Sequence, residues 1–184
     1  MAATLCGVAV ESRHELPALA EGSLTEGTGN MGNIKTAEAK YRGGMRFDIS
    51  AGSGHSLTVD VSEADGGQNA GFSPMELPLV ALLGCIGMDV VSILKKKRQQ
   101  VTGYAMSARG IRAETDPKVF VEITVEHTFT GHGIEQAAVN RALELSSTRY
   151  CSVSGMLSKT AEIVHTTRIV ETEAEAASGA PGAE

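Results

Sequence analysis

The sequence predicts an α+β domain with the element order β-β-β-α-β-β-α-α-β and no repeated unit. Three observations carry this expectation. Short alternating segments with glycine turns fill residues 35–61. A single long apolar run with a helix-start signal follows at 73–98, and a hairpin pattern, two helical segments and a last alternating segment complete the order. The chain has 184 residues, 42% apolar and 21% charged, which is enough for one globular domain with its own core.

Residues 1–33 read as a loosely structured extension, rich in Gly, Ser, Thr and Asn towards its end. The expected domain covers 34–170, and 171–184 read as a tail of Glu, Ala, Gly and Pro. Within the domain, Lys35–Tyr41, Met45–Ser50 and Ser56–Val61 form three antiparallel strands, turning at Gly43-Gly44 and Gly52-Ser53-Gly54. Asp65-Gly66-Gly67-Gln68-Asn69-Ala70-Gly71 is then a loop.

Ser73-Pro74-Met75-Glu76 is the clearest helix start: Ser as N-cap, Pro at the first helical position, and Glu reaching back as a capping box. The helix is expected to run from Pro74 to Arg98, with Lys95-Lys96-Lys97-Arg98 complementing its dipole. Its body is apolar all round, so a second layer or subunit must cover it. Gly103–Ala113 and Val119–Thr130 alternate around Asp116-Pro117 as a hairpin. Ile134–Ser147 has a helical period with Ala137, Ala138, Ala142, Leu143 and Leu145 inward. A short helix with Cys151 in its first turn and a strand over Glu162–Val170 close the order.

Several classes of function are disfavoured by composition. A formal charge of −6, from 16 basic and 22 acidic residues, repels nucleic acid and anionic membranes. The N-terminus lacks the pattern of a secretory signal, and Leu77–Leu94 carries Pro78, Asp89, Ser92 and two glycines, so it reads as a core helix rather than a membrane span. Three cysteines without a secretory signal fit reduced, cytoplasmic thiols. Histidines 14, 55, 127, 132 and 165 show no metal-ligand spacing, and neither a P-loop nor a dinucleotide fingerprint is present, so no cofactor or metal is expected.

Cys85 and Cys151 carry the most functional information. Cys85 lies inside the long apolar run and Cys151 at Tyr150-Cys151-Ser152-Val153-Ser154, so only tertiary folding could pair them. Two readings stand here: a two-thiol redox site, or two unrelated buried cysteines. Cys6 falls in the front extension and is left out of the site. Gly84 and Gly87 each cost about 1 kcal/mol relative to Ala within a helix, which suggests a close approach by substrate or by a packed partner. Asp89, one turn after Cys85, would raise the thiol pKa if bare, and a buried salt bridge to an arginine is the expected arrangement.

Ser73-Pro74-Met75-Glu76-Leu77, Ala81-Leu82-Leu83-Gly84-Cys85 and Tyr150-Cys151-Ser152-Val153-Ser154 together resemble the OsmC/Ohr family, over about residues 34–170. Gly84-Cys85-Ile86-Gly87-Met88-Asp89-Val90-Val91 resembles the less studied OsmC-like branch more than the typical organic hydroperoxide reductases. The resemblance implies an intertwined homodimer around a long buried helix, with active sites at the interface. It also implies a thiol peroxidase: Cys85 attacks an organic hydroperoxide to form a sulfenic acid, Cys151 resolves it as a disulfide, and an external dithiol, lipoyl-type in the reductases, restores the pair.

In that family an arginine from the first hairpin lowers the pKa of the attacking cysteine, held by a glutamate at the start of the cysteine helix. The matching arginine here is Arg42 or Arg46, with Arg46 preferred because it follows Gly43-Gly44. The glutamate position is Met75, and Glu76, one residue away, points about 100° around the helix. Met75, Leu79, Leu82, Ile86 and Met88 are candidates to line a pocket suited to organic hydroperoxides. The alternative implied by the Met75 departure is a non-enzymatic dimer that binds an apolar small molecule or senses redox state.

Overall fold

A computed structural model describes residues 34–172 of the chain; the expected extension with Cys6, and the tail beyond residue 172, lie outside the described residues. Strands β1 (Ala37–Tyr41), β2 (Phe47–Ala51) and β3 (Ser56–Val59) form an antiparallel sheet in that order. The β1–β2 turn depends on Gly43 and Gly44, both at positive φ (98° and 58°), where a side chain would be strained. Tyr41 pairs with Phe47 across it. Val59 is the one buried residue in these three strands, so among the described residues the sheet has almost no core of its own.

The loop after β3 is organised by a residue with no distinctive sequence signature. Asp60 is buried, and its carboxylate accepts the backbone N–H groups of Val61, Gln68 and Ala70 at 2.9, 3.0 and 3.1 Å. These bonds favour the charged form and hold its pKa below the ordinary value. A Cβ on Gly67 would clash with the Val61 carbonyl oxygen, so the loop packs backbone against backbone.

Helix α1 spans Leu77–Lys96, starting three residues later than the sequence suggested. The reason is the second proline: Pro78 has no N–H to bond to Pro74, and the first regular bond here is Val80 N–H to Glu76 C=O at 3.0 Å. Half of the expected capping box forms, with the Ser73 N–H donating to Glu76 Oε2 at 2.8 Å. The helix ends at Lys96 because Arg98 turns into the left-handed region (φ 57°) and the Gln99 N–H bonds back to Leu94 C=O.

The second sheet has the order β4-β5-β6, from Gln100–Arg112, Phe120–His132 and Glu162–Glu171. The β4–β5 hairpin is antiparallel, whereas β6 runs parallel to β5. Parallel pairing requires a crossover, supplied by α2 (Gln136–Leu145), a π-helical turn (Ser146–Tyr150) and α3 (Ser152–Leu157). The inner face of α2 is Ala138, Val139, Ala142 and Leu143; Ala137 faces solvent, against expectation, and Val139 takes the inward position.

One stripe of α1, Leu82, Ile86, Val90 and Leu94, joins Ile123, Val125 and Phe129 of β5 and the inner face of α2 in the core. Their i, i+4 spacing aligns them on a single side of the helix. The opposite side carries Val80, Gly84, Met88 (73% exposed) and Val91 in the open. The described residues therefore cover only half of the long helix, rather than burying it all round. By length and composition α1 could also cross a membrane, the feature that the sequence reading assigns to a core helix.

Candidate redox site at the α1–α3 junction

Cys85 stands midway along α1, and Asp89 follows one turn later on the same face. Cys151 closes the π-helical turn and is the N-cap of α3, with extended backbone angles (φ −72°, ψ 102°). Its N–H bonds to Ser146 C=O at 2.8 Å, and its sulfur accepts the Ser154 N–H at 3.3 Å. A serine usually fills such a cap; here a thiol does, so the helix start fixes where the sulfur points.

The fold brings Cys85 Sγ, Cys151 Sγ and an Asp89 carboxylate oxygen within 4.8 Å of one another. Both cysteines are free thiols, Cys85 partly buried and Cys151 buried. The sequence suggested a salt bridge from Asp89 to an arginine, but among the described residues no arginine pairs with it, and its Oδ2 accepts the Ser146 hydroxyl at 3.0 Å. The buried Ser146, held in the turn that delivers Cys151, thus ties the carboxylate of α1 to the same junction.

The electrostatics run opposite to what an attacking thiol needs. Burial pushes the Cys85 thiol up, and the neighbouring Cys151 sulfur and Asp89 carboxylate push it further, against one favourable contact from the Val153 N–H. Among the described residues no cation pairs with these groups. Arg42 is engaged elsewhere, its Nε on Asp48 Oδ2 at 2.7 Å. Arg46 Nε lies 4.0 Å from the other oxygen of Asp48, and this buried nitrogen has no hydrogen-bond partner among the described residues. These arginines hold the Asp48 carboxyl below its ordinary range, with the Arg42 bond the larger cause.

Of the other sequence candidates, Met75 packs at the edge of the core and Glu76 caps α1. The expected pocket residues diverge: Leu82 and Ile86 are core, while Met88 points outward. Gly87 does mark a close approach, since a Cβ there would sit 2.7 Å from Met106 Cε on β4; Gly84 faces open space. A surface groove of about 620 Å³ beside Val91, Lys95, Arg98 and Tyr104 does not include the thiols in its lining.

A polar relay behind the site was missed by sequence reasoning. The Tyr104 hydroxyl meets His127 Nδ1 at 2.7 Å, His127 Nε2 meets His165 Nδ1 at 2.9 Å, and His165 Nε2 meets the Ser147 hydroxyl at 3.0 Å. Ser147 is the neighbour of the Ser146 that holds Asp89. Burial lowers the pKa of His127 to about 4, with His165 adding to the effect, and burial also lowers His165. The available signal was alternation: Ile123, Val125, His127 and Phe129 fall on one face of β5, which places a histidine among core residues.

Fold and site together define an α+β protein with a paired-thiol centre built between a helix and a crossover turn. The model of the family described as OsmC-like protein matches residues 66–166, and the chain belongs to that family. Escherichia coli K12 protein YhfA is 38% identical over 134 residues, spanning 73% of this chain and 97% of its own length. A hypothetical protein from Aquifex aeolicus, solved by crystallography, is 31% identical with a TM-score of 0.67, covering 76% of this chain and 98% of its own. The Legionella pneumophila protein described as an organic hydroperoxide resistance protein OsmC shares the fold at 15% identity and a TM-score of 0.56, covering 73% of this chain and 96% of its own.

Proposed function

We propose that the chain is a thiol-dependent peroxidase acting on organic hydroperoxides, with Cys85 as the attacking thiol and Cys151 as the resolving thiol. The observation that carries this reading is the convergence of two free thiols, one on α1 and one capping α3, within 4.8 Å. The Cys85 thiolate attacks one peroxide oxygen, the O–O bond breaks, and the alkoxide leaves as an alcohol after taking a proton. Cys85 is then a sulfenic acid. Cys151 condenses with it to form the disulfide and release water, and an external dithiol returns both sulfurs to thiols by exchange.

The missing cation belongs, in this reading, to a second copy of the chain. Two exposed surfaces support a homodimer: the uncovered apolar side of α1, and the coreless β1–β3 sheet with Tyr41, Met45 and Phe47 in the open. The turn leading into that sheet carries Arg46, whose partly exposed guanidinium would serve a thiolate across the interface. Cytoplasmic location is part of the same proposal, because a cycle through reduced thiols needs a reducing compartment.

The test is consumption of cumene hydroperoxide by the purified protein with dihydrolipoamide as reductant. Wild type is expected to turn over, Cys85→Ser to lose turnover, and Arg46→Ala to lose most of it. A wild-type rate no higher than that of Cys85→Ser would refute the reading. Two observations favour a second reading, a non-enzymatic redox sensor or small-molecule binder: Met75 stands at the family's carboxylate position, and the groups around Cys85 raise its pKa. A disulfide that forms stoichiometrically but is not recycled by any dithiol is the result that would favour it.

A further inference from the structure

Three groups that carry negative charge when ionised meet at the α1–α3 junction, and among the described residues only backbone N–H groups and the Ser146 hydroxyl face them with positive ends. With both thiols deprotonated, the three would need a cation to offset their mutual repulsion. We propose that Cys85, Asp89 and Cys151 form a mononuclear site for a zinc-class divalent cation, leaving the fourth coordination position open.

The ligand chemistry fits this class. Two thiolates and one carboxylate suit a borderline-soft ion such as Zn²⁺ rather than Mg²⁺ or Ca²⁺, which take oxygen ligands. At tetrahedral geometry, bonds of about 2.3 Å to sulfur and 2.0 Å to oxygen place ligand atoms roughly 3.5–3.8 Å apart. The three atoms already lie within 4.8 Å of one another, so closing on an ion takes rotamer adjustment rather than movement of an element. Cys85 and Asp89 are fixed one turn apart on α1, and Cys151 is fixed by its cap bonds.

Two further observations lie outside the three ligands. Asp89 Oδ2 accepts the Ser146 hydroxyl, the outer-shell contact that orients ligating carboxylates, and this leaves the other oxygen for a metal. Ser154, only 2% exposed and three residues beyond Cys151, has a buried hydroxyl with no hydrogen-bond partner among the described residues. Buried hydroxyls rarely stay unpaired, and a metal-bound water at the open position is a partner of the right chemistry.

Binding involves no electron transfer: two S–H bonds give way to two metal–sulfur bonds, and two protons leave to solvent. The same sulfurs cannot be ligands and a disulfide at once. On the peroxidase reading above, one hydroperoxide and two protons would convert the metal-bound pair to a disulfide, an alcohol, water and the released cation.

The experiment is a Co²⁺ titration of the full chain, reduced and stripped with chelator, followed by addition of Zn²⁺. A single equivalent of Co²⁺ is expected to produce thiolate-to-cobalt charge-transfer absorption and tetrahedral ligand-field bands, both abolished by Zn²⁺. Cys85→Ser and Cys151→Ser should lose the charge-transfer signal, and Cys6→Ser should keep it. Asp89→Asn, which retains both thiols, should bind about tenfold or more weakly. Absence of the charge-transfer band in wild type, its persistence in Cys85→Ser, its loss in Cys6→Ser, or unchanged affinity in Asp89→Asn would overturn the site. Hydroperoxide turnover by the stripped protein is scored separately, so failure of the peroxidase reading leaves the cobalt result standing, and the reverse.

Discussion

Acid should weaken this fold through one identifiable side chain. His127 is 1% exposed, and its ring lies between Tyr104 and His165, with Phe129 stacked nearby at 6.2 Å. Its folded pKa, lowered to about 4 from an ordinary 6.5, means that the native state rejects a proton that the unfolded chain accepts. The stabilisation is therefore complete above about pH 6.5 and is lost as pH falls towards 4. At 1.36 kcal/mol per unit, wild type should lose about 2 kcal/mol from this group by pH 5 and about 3 kcal/mol by pH 4. Burial lowers His165 too, so its contribution has the same sign.

The comparison variant is His127→Phe, which keeps a planar ring on β5 but cannot be protonated. Its baseline stability should drop, because the Tyr104 hydroxyl and His165 each lose a partner at that position. The informative quantity is the pH slope. Urea unfolding at pH 7 and pH 5, at one fixed protein concentration, is expected to show wild type losing about 2 kcal/mol more than the variant over that interval. Titrating groups that do not touch His127 are common to both proteins and cancel. Equal losses would refute the assignment of a buried, neutral His127.

Other substitutions probe separate parts of the structure. Asp60→Ala removes the acceptor of three backbone N–H groups and should lower stability by about 2–4 kcal/mol, read as a drop in thermal midpoint. Gly87→Leu, which must displace Met106, should cost about 1–3 kcal/mol by urea unfolding, whereas Gly84→Ala meets no atom of its own chain within 4 Å and should not destabilise the monomer. Met88→Lys places a charge on the open face of α1 and should halve the mass measured by light scattering if that face is a dimer interface.

Most of the fold was legible because its signals are local. Alternation marked all six strands, with glycine turns in the first sheet and Asp116-Pro117 in the second, and the Ser73-Pro74 start with a basic end marked α1. What the sequence misplaced was set by interactions beyond its local pattern: the α1 start moved because two prolines stand four residues apart, and the α2 face rotated to bury Val139. The cysteine pair was legible from its motifs, but not its surroundings. Asp89 was assigned to an arginine, yet its partner comes from Ser146, 57 residues later. His127 and His165 share no sequence spacing because a crossover between parallel strands separates them, and only the β5–β6 register makes them neighbours.

The central claim is that Cys85 and Cys151 react with each other. The direct measurement is peptide mapping by mass spectrometry after exposing the reduced full-length protein to one equivalent of cumene hydroperoxide, with Cys6 as an internal control. A Cys85–Cys151 crosslink, absent from Cys85→Ser and accompanied by an unmodified Cys6, is the expected result. If both thiols remain reduced, or if the disulfide joins Cys6 instead, the paired-thiol account is contradicted.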